Sequence, residues 1–122
     1  MLQIIKDLPD NVLGVSAEGK ITAKDYETVL IPALEEKLKT HKSFRLLYHL
    51  GAGFTGIDFG AMIDDAKIGF KHISELERVA LVSDHQMINT FARFFGHLMS
   101  CESRVFSDQE LEEAKKWITE NK

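Results

Sequence analysis

Three times along this chain a short, nearly unbroken apolar run is followed by a stretch with helical spacing. That alternation restricts the fold more than any single motif does. Phe44 to Leu50 leads to Asp58 to His72, Arg78 to Val82 leads to Asp84 to Met99, and Arg104 to Phe106 leads to Asp108 to Glu120. Runs such as Val79-Ala80-Leu81-Val82 suit parallel strands buried on both faces, because alternation with polar residues is needed only where one face meets water. Right-handed crossovers then lay the intervening helices against the sheet.

The N-terminal third adds a different signal. Gln3 to Lys6 and Val12 to Ala17 read as short extended runs separated by Leu8-Pro9-Asp10-Asn11. Proline and Asp/Asn at that spacing favour a turn, so the two runs are expected to form a hairpin. Thr22-Ala23-Lys24-Asp25 opens a helix reaching about Lys39, with Tyr26, Val29, Leu30, Ala33 and Leu34 at helical spacing. Pro32 lies inside that pattern and removes a backbone donor, which predicts a kink or break there. The other reading is two short helices, the second holding Pro32 in its first turn. With 122 residues and no internal repeat or linker, the expectation is one α/β domain over 1–122. Its sheet should be mixed, with about five strands and helices packed against it.

Composition narrows the function classes. The chain is 44% apolar and 28% charged, as in ordinary soluble globular domains. Its net charge is −4 with lysines scattered among acids, which argues against nucleic acid, whose binders concentrate basic residues on one face. Cys101 is alone, so no internal disulfide forms and a reducing compartment fits. The N-terminus lacks the apolar core of an export signal. No charge-free apolar stretch approaches the roughly 20 residues that span a bilayer. The expected location is the cytoplasm, and a chain that starts at Met1 is expected to be close to complete.

The segment Leu50-Gly51-Ala52-Gly53-Phe54-Thr55-Gly56-Ile57-Asp58 joins the first apolar run to its helix. Gly51, Gly53 and Gly56 permit backbone conformations that side chains forbid, and Thr55-x-x-Asp58 has the form of a capping box. The reading is a strand-to-helix loop, where open α/β sheets place ligand sites and switches. Such loops all emerge at the carboxyl edge of a parallel sheet. Three caps would gather there: Thr55 with Asp58, Ser83 with Gln86, and Ser107 with Glu110. The free N–H groups of helix starts make that edge receptive to anions, a phosphoryl group included. The simpler account is that these hydroxyls only cap helices.

The order of elements and several local stretches resemble the SpoIIAA-like proteins, relatives of the STAS domain of sulfate transporters and anti-sigma-factor antagonists. The most specific stretches are Gly53-Phe54-Thr55-Gly56-Ile57-Asp58 and Lys67-Ile68-Gly69-Phe70-Lys71-His72. Leu76 to Asp84 and Phe94-Phe95-Gly96 add to them, and the likeness runs from the hairpin to the last helix. The resemblance implies a compact α/β fold with a mixed sheet, and it implies no enzymatic reaction or cofactor. In anti-sigma-factor antagonists a serine at the start of the helix after the central strand is phosphorylated, which switches binding to a kinase-like partner. That serine usually follows an aspartate. Here the Asp-Ser pair is absent, and Thr55, preceded by Phe54, is the loop's only hydroxyl and takes the candidacy by position.

A second reading comes from the helix around Phe91. Met87, Ile88, Phe91, Ala92, Phe94, Phe95, Leu98 and Met99 cover about 160° of its circumference, wider than a helix lying on a sheet requires. The excess marks Phe91, Phe94, Phe95 and Met99 for a homodimer contact or an apolar ligand. The STAS-like fold is also similar to lipid-binding CRAL-TRIO domains, which by analogy implies a hydrophobic ligand.

The remaining reactive residues offer little chemistry. Adjacent side chains in Ser83-Asp84-His85 cannot form a nucleophile–base–orienter geometry. His41, His49, His72, His85 and His97 are dispersed, with no metal-ligand spacing. His49 stands out near the end of an apolar strand, as a pH-sensitive or ligand contact or as a hydrogen-bonded structural histidine. Asp64-Asp65 and the charges of the last helix read as solvated faces, with Trp117 packing at a rim. The expectation is a non-enzymatic regulatory module. It should act by protein–protein contact at Gly51, Gly53, Phe54, Thr55, Gly56 and Asp58, as a homodimer, with control at Thr55. A small apolar-ligand carrier is the alternative.

Overall fold

The computed structural model describes residues 1–6, 8–57, 76–86, 88–90, 93 and 102–120. Strands β1 (Leu2–Ile5) and β2 (Val12–Ile21) form the expected hairpin, with Leu2 opposite Ala17 and Ile5 opposite Gly14. Gly14 sits where the hairpin is tightest: a Cβ there would run into the Leu8 side chain and lie 3.0 Å from Ile5 Cβ. β3 (Phe44–Ile57), β4 (Leu76–Val82) and β5 (Glu102–Phe106) follow, and the sheet order is β1-β2-β3-β4-β5. The first pair is antiparallel and the other three are parallel. Among the described residues the sheet is mixed and five-stranded, and the α/β class is as the sequence indicates.

The first helical run starts with α1 (Ala23–Asp25), passes through a π-helical turn (Tyr26–Leu30) and continues as α2 (Ile31–Thr40). Thr22 and Asp25 cap it reciprocally: the Thr22 N–H donates to Asp25 Oδ2 at 2.9 Å, and the Asp25 N–H donates to Thr22 Oγ1 at 3.4 Å. Pro32 lies in the first turn of α2, where its missing N–H costs least. The wider π turn just upstream accommodates the ring without a gap between two helices. Residues 86, 88–90 and 93 are helical, within the helix expected after β4. After β5 comes a 3₁₀ turn (Asp108–Glu110) and then α3 (Leu111–Thr119). The helix expected over Asp58 to His72 lies outside the described residues.

Strand alternation divides the core between two faces of the sheet. On one face Val12, Leu47, Ala80, Val82 and Phe106 pack on Ala114 and Ile118 of α3. On the other, Leu13, Val15 and Phe44 meet Ala33, Leu34 and Leu38 of α2, while Ala17, Ile21, Leu50 and Phe54 meet Val29, Leu30 and Ile88. The helical residues after β4 thus lie on one side of the sheet and α3 on the other.

Two buried arginines fasten α3 at the amino edge of the parallel strands. The pairing of β3 and β4 is irregular between Phe44 and Arg45, where Phe44 faces Leu76 but Arg45 faces Arg78. The extra residue, Glu77, reaches Arg45, with Oε1 2.7 Å from Nη2 and 3.2 Å from Nε. Arg45 Nη1 donates to the carbonyls of Ile118 and Glu120, and Arg78 Nη1 to that of Trp117 at 2.7 Å. These carbonyls lie at a helix C-terminus, whose partial negative charge favours cations. Arg78 also lies 4.8 Å from the Trp117 ring, so Trp117 packs over a rim as its helical position indicates.

Candidate functional site

The segment read as a loop, Gly51 to Ile57, is the second half of β3. Its glycines serve bulges. Ala17 to Ile21 spans four steps of β2, whereas the paired Leu50 to Ile57 spans seven of β3, with shifts between Ala17 and Gly19 and between Gly19 and Lys20. The surplus residues are absorbed as irregularities that bend and twist the strand while it stays in the sheet. Gly56 takes φ +153° and Gly19, on the opposing strand, φ +61°, conformations that L side chains rarely adopt. Pairing with β4 ends at His49 and Val82, so residues 50–57 of β3 run past the last β3–β4 pair.

This changes the standing of two expected site residues. Thr55 is exposed, as a switch position requires, but it is a strand residue and not the N-cap of a helix. Asp58, its expected capping partner, lies outside the described residues. Phe54 is 5% exposed and packs in the core cluster with Leu2, Ala17, Ile21 and Leu50, so it anchors the strand and is not a surface contact. Gly53 is exposed, and Gly51 and Gly56 are partly so. Phe91, Phe94, Phe95 and Met99 lie outside the described residues.

A second feature lies beside it at the same carboxyl edge. The chain leaves β4 toward one face of the sheet and β5 toward the other, and such a divergence opens a crevice between the two strand ends. A pocket of about 450 Å³ occupies that crevice, lined by the β4 exit, the helix after it, and the turn after β5. Sequence reading placed Ser83 and Ser107 at this edge as caps. Ser83 Oγ accepts from the His85 N–H at 2.9 Å, and the Ser107 N–H donates to Glu110 Oε1 at 2.8 Å. Hydrogen bonds from the Ser107 backbone N–H and, to a lesser degree, its side chain hold the Glu110 carboxyl below its ordinary range. The expected Gln86 partner of Ser83 is replaced by the backbone of His85.

Several bonds stitch the two exits together. The Ser83 N–H donates to Phe106 O at 2.8 Å and the Asp108 N–H to Asp84 Oδ1 at 3.0 Å. His49 Nε2 lies 3.4 Å from Asp108 Oδ1, within ion-pair reach when the imidazole is protonated. The histidine singled out in the sequence therefore faces the turn after β5, although Asp108 Oδ1 accepts no hydrogen bond among the described residues. Asn89, which no sequence signal marked, is buried with Nδ2 donating to Ser83 O at 2.7 Å and Oδ1 without a donor among the described residues. Among the described residues no three His, Cys, Asp or Glu side chains converge to hold a metal ion. No described helix is long and apolar enough to cross a membrane.

A mixed sheet with a leading hairpin, four parallel strands in chain order and helices on both faces defines an α/β module of the STAS type. The chain belongs to the SpoIIAA-like family, whose model matches residues 12–119. Its structure is similar to the crystal structure of an uncharacterised protein of the DUF3478 family with a SpoIIAA-like fold from Shewanella loihica PV-4. The two are 28% identical, with a TM-score of 0.75 over 97% of this chain and 92% of that one. A search of the curated proteins found no match.

Proposed function

We propose that the chain is a non-catalytic, cytoplasmic regulatory module that binds a protein partner along residues 51–57 of β3. The carrying observation is the exposure of Thr55 on the part of β3 that continues beyond its last pair with β4. A strand that outruns its neighbour offers backbone donors and acceptors to an added strand, and glycines beside it let another backbone approach closely. Phe54 beneath holds this segment in one position, so a partner meets a preformed edge. A phosphoryl group on Thr55 would add nearly two negative charges to that edge and control the contact. The oligomeric state proposed with it is a homodimer, which sedimentation decides.

The test is peptide mass spectrometry of the protein from its native host, joined to photocrosslinking from a probe at exposed position 53 of the same strand. A phosphoryl increment mapped to Thr55, and a crosslinked protein lost in Thr55→Glu, are the expected results. An unmodified Thr55, with crosslinks no different from those at exposed Glu112 of α3, overturns the reading.

A further inference from the structure

The crevice between the ends of β4 and β5 is distinct from the β3 edge, and its chemistry is specific. Asp84 and Glu110 contribute two carboxylates and Arg93 one guanidinium, so the wall favours a cation while keeping one group for an anion. Asp84 Oδ1 accepts from the Asp108 N–H and the Glu110 carboxylate from the Ser107 N–H and side chain, which fixes their directions while both carboxylates stay exposed at the pocket wall. Asn89 has 8% of its surface exposed, and its amide nitrogen is committed to Ser83 O. Its Oδ1 has no donor among the described residues. A buried carbonyl oxygen without a donor is costly, and an N–H or O–H group of a ligand would supply one.

Arg93 is exposed on the same wall and makes no ion pair among the described residues. Its planar fork matches a carboxylate with two parallel hydrogen bonds. Accepting oxygens and a donating guanidinium on the walls of one pocket call for a ligand that carries both an ammonium group and a carboxylate. The polar wall suits neither an acyl chain nor a sterol, which need apolar lining.

We propose that this crevice binds a small zwitterion bearing a primary ammonium and a carboxylate, of the size of a free amino acid. The ammonium sits among Asn89 Oδ1, Asp84 and Glu110, and the carboxylate lies on Arg93. The site is independent of the β3 edge, so either proposal can fail without the other.

Calorimetric titration of the whole chain with each common amino acid at millimolar concentration tests it, with two controls. Glycine betaine keeps the carboxylate but has no N–H, and a simple alkylamine keeps the ammonium but has no carboxylate. The expected result is saturable binding of at least one amino acid, with neither control binding. Arg93→Gln, at an exposed position that leaves the fold intact, should weaken that binding about tenfold or more. Asn89→Leu should abolish it, and Arg93→Gln keeps the test decisive if Asn89→Leu does not fold. Absence of binding by every amino acid overturns the proposal. So does binding that betaine matches, or that Arg93→Gln leaves unchanged.

Discussion

The ring of Phe54 meets the imidazole of His85 edge to face, with centroids 5.0 Å apart and planes at 76°. One residue belongs to the projecting half of β3 and the other to the exit of β4, so this contact joins the two features of the carboxyl edge. Phe54→Ala should cost about 3 kcal/mol, as truncation of a buried phenylalanine does. A double-mutant cycle with His85→Ala should give a coupling of about 0.5–1.5 kcal/mol, the worth of an aromatic pair beyond its buried area. Urea unfolding of the four proteins reads it, and a coupling near zero would mean that the two exits are energetically separate.

The arginines that hold α3 give a second test. Arg45 is 5% exposed, and its guanidinium serves Glu77 and the carbonyls of Ile118 and Glu120 together. Removing it leaves those groups without their donor. Arg45→Met should therefore destabilise the protein by about 3 kcal/mol. Arg45→Lys should recover little, because a single ammonium cannot reproduce the fork. The denaturation midpoint decides, and full rescue by lysine would show that charge alone is needed.

Arg45 also shows where sequence reading ran short. The hairpin, the parallel strands and the chain order were legible because apolar periodicity, proline and turn residues act locally. Arg45 and Arg78 stand at the start of apolar runs, and their role appears only once α3 returns its C-terminus to the sheet. The glycines at 51, 53 and 56 misled for a related reason. Glycine signals an unusual backbone conformation but does not say whether it serves a loop or a bulge. Burial of Leu50 and Phe54 on one face settles that in favour of the strand, outweighing a glycine cost of about 0.5–1 kcal/mol each. The pocket beside Asn89 had no signature, since it depends on two chain exits diverging.

The Thr22–Asp25 cap predicts a dependence on acid. The Thr22 N–H, opposed in part by burial and helped to a lesser degree by the Thr22 hydroxyl and the N-terminal ammonium, holds the Asp25 carboxyl below its ordinary value of 3.8. A carboxyl that binds protons less readily when folded stabilises the fold at pH above its unfolded value. That contribution is lost as pH falls through the lower folded value. Asp25→Asn should therefore flatten the fall in melting temperature between roughly pH 5 and pH 2. Thr22→Ala should cost about 1 kcal/mol near neutrality, as a lost cap does. Parallel acid profiles for wild type and Asp25→Asn would remove this carboxylate from the explanation.

The glycines of the β2–β3 ladder separate by what each one does. Gly51 has only Ala17 O, at 3.9 Å, near the position a Cβ would take, and its φ is not positive. Gly51→Ala should change stability by no more than about 0.5 kcal/mol. Gly56 has open space around it but a φ of +153°, so Gly56→Ala must strain the backbone or undo the bulge, at a cost of about 1–3 kcal/mol. Gly14→Ala fails for the opposite reason. Its backbone is ordinary, but the methyl would lie 3.0 Å from Ile5 Cβ and overpack the hairpin by about 1–3 kcal/mol. Thermal unfolding of the three variants distinguishes a conformational glycine from a steric one. Equal melting temperatures for Gly51→Ala and Gly56→Ala would contradict the bulged strand, and with it the placing of Thr55 on a fixed edge.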